Sequence, residues 1–166
     1  MSTSDDLKEA FAGESQANMK YLAYAEKAEK EGYGQVARLF RAAAAAEKVH
    51  AHNHLKAMGG VADSAANLED AVEGEGYEFR KMYPPFLERA GNEGDEKAAR
   101  SFRYALAVEE IHHDLYGKAL ESVREGKDLS AGPVYVCSVC GNTVEGEPPE
   151  KCPVCGVPRE KFFEVE

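Results

Sequence analysis

The chain has 166 residues, 43% of them hydrophobic and 30% charged, with a formal net charge of −10 and four cysteines. That length holds one ordinary domain and a small appendage, and the acidic balance argues against a nucleic-acid partner. No apolar run nears the ~18 residues a membrane span needs, and the start Met-Ser-Thr-Ser-Asp-Asp has no basic or apolar signal-peptide region, so a cytoplasmic protein is expected.

Hydrophobic periodicity predicts four helices. The first covers 4–31 and stops at Gly32; the second covers 33–58 and stops at Gly59-Gly60. The third covers 66–90, with Pro84-Pro85 interrupting its last turns. The fourth covers 95–125 and stops at Gly126. Residues 128–134 read as a linker. Beyond it the composition turns to Gly, Pro and Cys, with strand-like Val134-Tyr135-Val136 and Phe162-Phe163. The expected division is therefore a helical domain, 1–130, and a small four-cysteine β domain, 131–166.

Glu47-Lys48-Val49-His50 and Glu109-Glu110-Ile111-His112 carry the chemistry of the helices. Residues three apart share a helix face, so each motif offers a carboxylate and an imidazole in one direction. Glu14 precedes Glu47, and Glu75 precedes Glu109, by nearly the same interval. Each of these residues falls on an apolar stripe: Leu7, Phe11, Glu14, Asn18 and Tyr21 on the first helix; Phe40, Ala43, Glu47 and His50 on the second; Val72, Glu75, Phe79 and Met82 on the third; Phe102, Leu106, Glu109 and His112 on the fourth. Four carboxylates facing a core need cations between them, because each alone would cost several kcal/mol to desolvate. Glu110 and His113 repeat the motif one residue later, about 100° round the helix, and are expected at the surface.

Oxygen and nitrogen donors in this mixture suit iron or manganese. A Glu from each of two helices and a Glu-x-x-His from each of the other two is the known pattern of ferritin-like di-iron bundles. Glu78 lies one turn after Glu75 and has no counterpart after Glu14, where Ala17 stands. It is either an exposed glutamate without a role or a seventh ligand that breaks the symmetry. Tyr21 and Tyr83 can donate hydrogen bonds to the site or simply pack. His54 shares the stripe and suits the core or rim; His52 is off it and expected in solvent.

Cys137-Ser138-Val139-Cys140-Gly141 and Cys152-Pro153-Val154-Cys155-Gly156 are two CxxCG knuckles. Two such pairs close a tetrahedral four-thiolate site. Spacing alone does not separate zinc from iron, but the neighbouring carboxylate set favours a redox-active iron.

With these motifs in place, the chain resembles rubrerythrin over almost its whole length: FAGESQA around Glu14, AEKVHA around Glu47 and His50, GEGYEFRKMYPPF around Glu75, Glu78 and Tyr83, VEEIHH around Glu109, and the CSVCG and CPVCG knuckles. The resemblance implies a mainly α fold: a ferritin-like four-helix bundle followed by a small rubredoxin-like β domain. It implies a di-iron site and one iron on Cys137, Cys140, Cys152 and Cys155, with zinc possible there on isolation. Terminal carboxylates fall on Glu14 and Glu75, bridging ones on Glu47 and Glu109, and a histidine ligand on His112. A redox switch between carboxylate and histidine falls on Glu78 and His50, and site-contacting tyrosines on Tyr21 and Tyr83. The implied activity is reduction of hydrogen peroxide to water, with electrons from an external donor such as rubredoxin or an NAD(P)H-dependent reductase.

The competing reading is a ferroxidase or iron-storage protein with a structural zinc ribbon; the four-cysteine tail and Glu78 favour the peroxidase. One geometric expectation concerns assembly. Parallel second and third helices must be joined over ~26 Å plus a lateral step, by a link that extends about as far. Either the helix ends differ, or the chain forms a homodimer with exchanged helix pairs.

Overall fold

The computed structural model describes residues 2–166 and is mainly helical, with one small antiparallel sheet. The chain divides into two compact units, up to Ala62 and from Asp63 onward.

The first unit is a helical hairpin of α1 (Thr3–Lys30) and α2 (Gly34–Ala57). A capping box starts α1: the Ser2 side chain accepts from Asp5 N–H, and Asp5 accepts from Ser2 N–H at 2.8 Å. The line buried between the two helices is mostly alanine: Ala25, Ala28, Ala37, Ala44 and Ala51. Such small side chains let the backbones approach closely, and Asn18 Nδ2 donates to the Ala44 carbonyl across the gap at 2.6 Å. Phe40 packs on this line, with the rings of Tyr24 and Tyr21 at 5.5 and 6.1 Å.

The second unit begins with α3 (Ser64–Tyr77), capped by Asp63, which accepts from Ala66 N–H at 2.9 Å. A π turn (Glu78–Met82) leads into α4 (Tyr83–Glu93), and α5 (Glu96–Arg124) packs along both helices. Gly94, at φ 71°, adopts the left-handed conformation that ends α4, and Asp95 then caps α5 through Lys97 and Ala98 N–H. The rings of Tyr83, Phe86 and Phe102 form a cluster with centroids 5.7–6.3 Å apart, joining α4 to α5.

The irregularity expected at Pro84-Pro85 sits one turn earlier, in the π turn. A proline ring clashes with the carbonyl four residues back. The wider turn, in which Tyr83 N–H reaches back five residues to the Glu78 carbonyl, opens the backbone just before the prolines, and both prolines fall in the first turn of α4, where proline is tolerated.

After residues 127–133, which have no regular structure, β1 (Val134–Cys137) pairs antiparallel with β2 (Thr143–Glu145) on one side and β3 (Phe162–Glu164) on the other. β1 and β3 match the strand-like segments of the sequence. β2 is a short addition that closes the first knuckle onto β1.

Candidate metal centres

Each unit holds one carboxylate–imidazole group, and the two are built alike. In the first, His50 Nδ1 lies 3.0 Å from Glu47 Oε2 and 3.8 Å from Glu14 Oε1. In the second, His112 Nδ1 lies 2.9 Å from Glu109 Oε2 and 3.7 Å from Glu75 Oε1. Within each group the donor atoms all lie within 4.8 Å of one another. The cause is helical spacing: Glu and His three residues apart point the same way, and the neighbouring helix adds its Glu opposite.

The electrostatics mark where cations belong. Sharing a hydrogen bond with Glu47 pushes the Glu14 carboxyl above its ordinary range, with burial and the Glu47 charge adding to it. Burial first, and then Glu109, push Glu75 up in the same way. Carboxylates this close keep protons unless a metal neutralises them. Two Glu and one His per unit suit iron, and these residues would hold it.

Glu78 stands outside the three-residue group, at the start of the π turn. Burial first, then Glu75, raise its carboxyl. The Tyr83 phenol is raised by burial and then by Glu78, Glu109 and Glu75, so its hydroxyl shares their surroundings. On a regular helix Tyr83 would lie about 80° past Glu75; the extra residue of a π turn sets it back by about 100° and onto the same face. Tyr21, by contrast, packs with Tyr24 and Phe40.

The four cysteine sulfurs also lie within 4.8 Å of one another, with Cys137–Cys155 at 3.7 Å and Cys140–Cys152 at 3.5 Å. A tetrahedral ion with metal–sulfur bonds of ~2.3 Å needs sulfur–sulfur edges of about 3.8 Å, so the cage fits one ion. Burial pushes the Cys152 thiol up, but the backbone N–H groups of Cys155 and Val154 outweigh it and bring it to about 7. Gly141, at φ 84°, permits the first knuckle turn, in which its N–H donates to the Cys137 carbonyl at 2.9 Å.

Three contacts were not legible in the motifs. Asn142, 2% exposed, directs Nδ2 at Cys152 Sγ at 3.7 Å. Thr143 Oγ1 lies 2.9 Å from His112 Nε2. His113, expected at the surface, is half-buried against the Phe79 ring and meets Arg80 Nη2 at 3.2 Å. All three depend on packing between distant segments, which no local spacing encodes. Glu110 and His52 are exposed, as expected, and His54 is half-buried.

Comparison with known proteins decides the family. The rubrerythrin family profile matches residues 5–120, and the profile described as the rubrerythrin rubredoxin-like domain matches 135–163. The chain belongs to the rubrerythrin family. Rubrerythrin-2 of Clostridium acetobutylicum is 41% identical, over 96% of this chain and 95% of that protein. Nigerythrin of Nitratidesulfovibrio vulgaris is 37% identical, over 97% of this chain and 85% of its own length. A solved mixed-valence state of nigerythrin matches with a TM-score of 0.58 at 34% identity, covering 99% of this chain and 87% of that one.

Membership in the rubrerythrin family bears out the fold class, ferritin-like helices followed by a rubredoxin-like four-cysteine domain, and the cofactors, a di-iron carboxylate–histidine site and a four-cysteine site. The protein is a di-iron oxidoreductase of oxidative-stress defence, and its rubredoxin-like domain implies a redox partner. Among the described residues, no helix is long and apolar enough to cross a membrane.

Proposed function

We propose that this chain is a peroxidase that reduces hydrogen peroxide to water. Two irons are held by Glu14, Glu47, His50, Glu75, Glu78, Glu109 and His112, and a third by Cys137, Cys140, Cys152 and Cys155. The functional division is 1–130 for the di-iron part and 131–166 for the electron-entry part, in a cytoplasmic protein. The observation that carries the reading is the repeated group of two carboxylates around a histidine Nδ1, accompanied by a four-sulfur cage of tetrahedral size. When bound, a di-iron pair would supply the two electrons that peroxide reduction needs, and Cys137, Cys140, Cys152 and Cys155 would hold the iron that takes up replacements from rubredoxin or an NAD(P)H-dependent reductase.

The chain's own groups handle protons and orientation. Glu78, half-buried and with its carboxyl raised by burial and then by Glu75, is placed to give the proton that peroxide cleavage requires when it is off the metal. The Tyr83 hydroxyl, set among Glu78, Glu109 and Glu75, donates a hydrogen bond to the site; Tyr21, packed on Tyr24 and Phe40, is the lesser candidate for the same role in the first helix pair. His50, with its side chain 53% exposed, has room to move on and off a metal. The test mixes fully reduced protein with peroxide or with oxygen. Faster oxidation of both iron types by peroxide supports a peroxidase; faster reaction with oxygen overturns it. Three irons per chain are expected, whereas two irons with one zinc, or many irons, would favour a zinc-ribbon or storage protein.

We also propose a homodimer with exchanged helix pairs. Between His50 and Glu75, the helical ends beyond each ligand rise ~10 and ~16 Å, while the link from Ala57 to Ser64 extends only ~23 Å. That span favours the partner's second pair as the complement of each first pair.

A further inference from the structure

We propose that Thr143 is a positioning residue for the di-iron site: it locks His112 in the one tautomer that leaves Nδ1 free for the metal. The inference rests on the reading of His112 as an iron ligand. A neutral imidazole has one N–H and one lone pair, and the hydrogen bond at one nitrogen decides which is which. His112 Nδ1 faces Glu109 and Glu75 at 2.9 and 3.7 Å. Without a fixed partner on the far side, the carboxylates would draw the proton to Nδ1 and block the lone pair a metal needs.

Thr143 removes that choice. Its hydroxyl carries one proton, which it donates to the Gly141 carbonyl at 3.1 Å. What Oγ1 then offers His112 Nε2, 2.9 Å away, is an acceptor. Both bonds form at once only with the imidazole proton on Nε2 and the lone pair on Nδ1. Gly141 ends the first cysteine knuckle and Thr143 begins β2 just after it; the knuckle is seated against α5, where a Cβ on Gly141 would lie 3.7 Å from Val108 Cγ1, and Val108 is 3% exposed. The route from Cys140 through the Gly141 peptide and the Thr143 hydroxyl to His112 runs within one chain. Proper closure of the four-cysteine module thus sets the tautomer of a ligand in the other centre.

The test uses the full chain with zinc in both sites and 15N-labelled histidine. In the wild type, His112 is metallated at Nδ1, and its Nε2 proton exchanges slowly with water. Thr143→Val keeps the shape and loses the acceptor; that proton then exchanges at least about tenfold faster, and zinc binds the carboxylate site about tenfold more weakly. Thr143→Ser restores both, and the four-cysteine site keeps its metal in each variant. Unchanged proton exchange in Thr143→Val, or metallation of His112 at Nε2, overturns the proposal. If zinc leaves the His112 resonances unmoved while those of His50 shift, the metal assignment of His112 itself falls.

Discussion

The two helix pairs carry the same three-residue group, yet they hold it differently. In the first pair His50 is half-exposed, and α1 and α2 are regular throughout. In the second pair His112 is pinned at both nitrogens, a π turn carries Glu78, and Tyr83 is swung onto the carboxylate face. In the proposed function, the matched groups would bind two similar ions, and the asymmetry around them would leave His50 as the loose histidine and Glu78 as the loose carboxylate.

The strongest way to break the comparison is to remove one bridging candidate from each side. Glu47→Ala and Glu109→Ala should each lose the di-iron site and bring peroxide consumption to background, with the four-cysteine metal retained. Co-expressing the two variants then tests the exchanged dimer. If helix pairs are exchanged, half of the dimers are mixed and half of their sites are intact, so about a quarter of wild-type activity returns. An unexchanged dimer returns none.

Glu78→Gln should lower turnover by about 100-fold at full iron content, the scale of a lost proton donor, measured as peroxide consumption by pre-reduced protein. A drop that merely tracks iron loss would make Glu78 a plain ligand. A smaller effect separates the tyrosines. Tyr83→Phe should slow peroxide reduction by up to about tenfold, while Tyr21→Phe, a ring packed on Tyr24 and Phe40, should do less.

The pH response is the mildest effect and has a definite sign. Glu14, Glu75 and Glu78 are raised above 4.5, so the metal-free native state holds protons that the unfolded chain releases. Their contribution to stability is full below that value and is lost as pH rises through the raised ones. Melts of the chelated full chain should therefore lose stability as pH climbs from about 4.5 toward neutrality. With iron bound, protons compete with the metal and the trend reverses.

Much of this was legible in the sequence because helical spacing is local. Glu47 with His50, Glu109 with His112, and the two knuckles announce themselves within five residues, and their stripes placed Glu14 and Glu75. Pro84-Pro85 signalled a break but not its kind, since a π turn is a property of the backbone upstream of the prolines. Thr143 and Asn142 were invisible because their partners, His112 and Cys152, lie far along the chain from them or beyond an irregular loop. The surface expectation for His113 failed for a related reason: periodicity finds the face turned from the ligands, but not that Arg80 and Phe79 of the π turn fold over it.

That π turn makes chain length, rather than composition, a variable of the site. Deleting one residue from its exposed side, such as Lys81, would return the segment to an ordinary helix and turn everything downstream by about 100°. Tyr83 would leave the carboxylates and Phe86 would lose Phe102, although every side chain implicated in the chemistry would still be encoded. A relative one residue shorter here could thus keep every motif and still differ in how protons reach its metals.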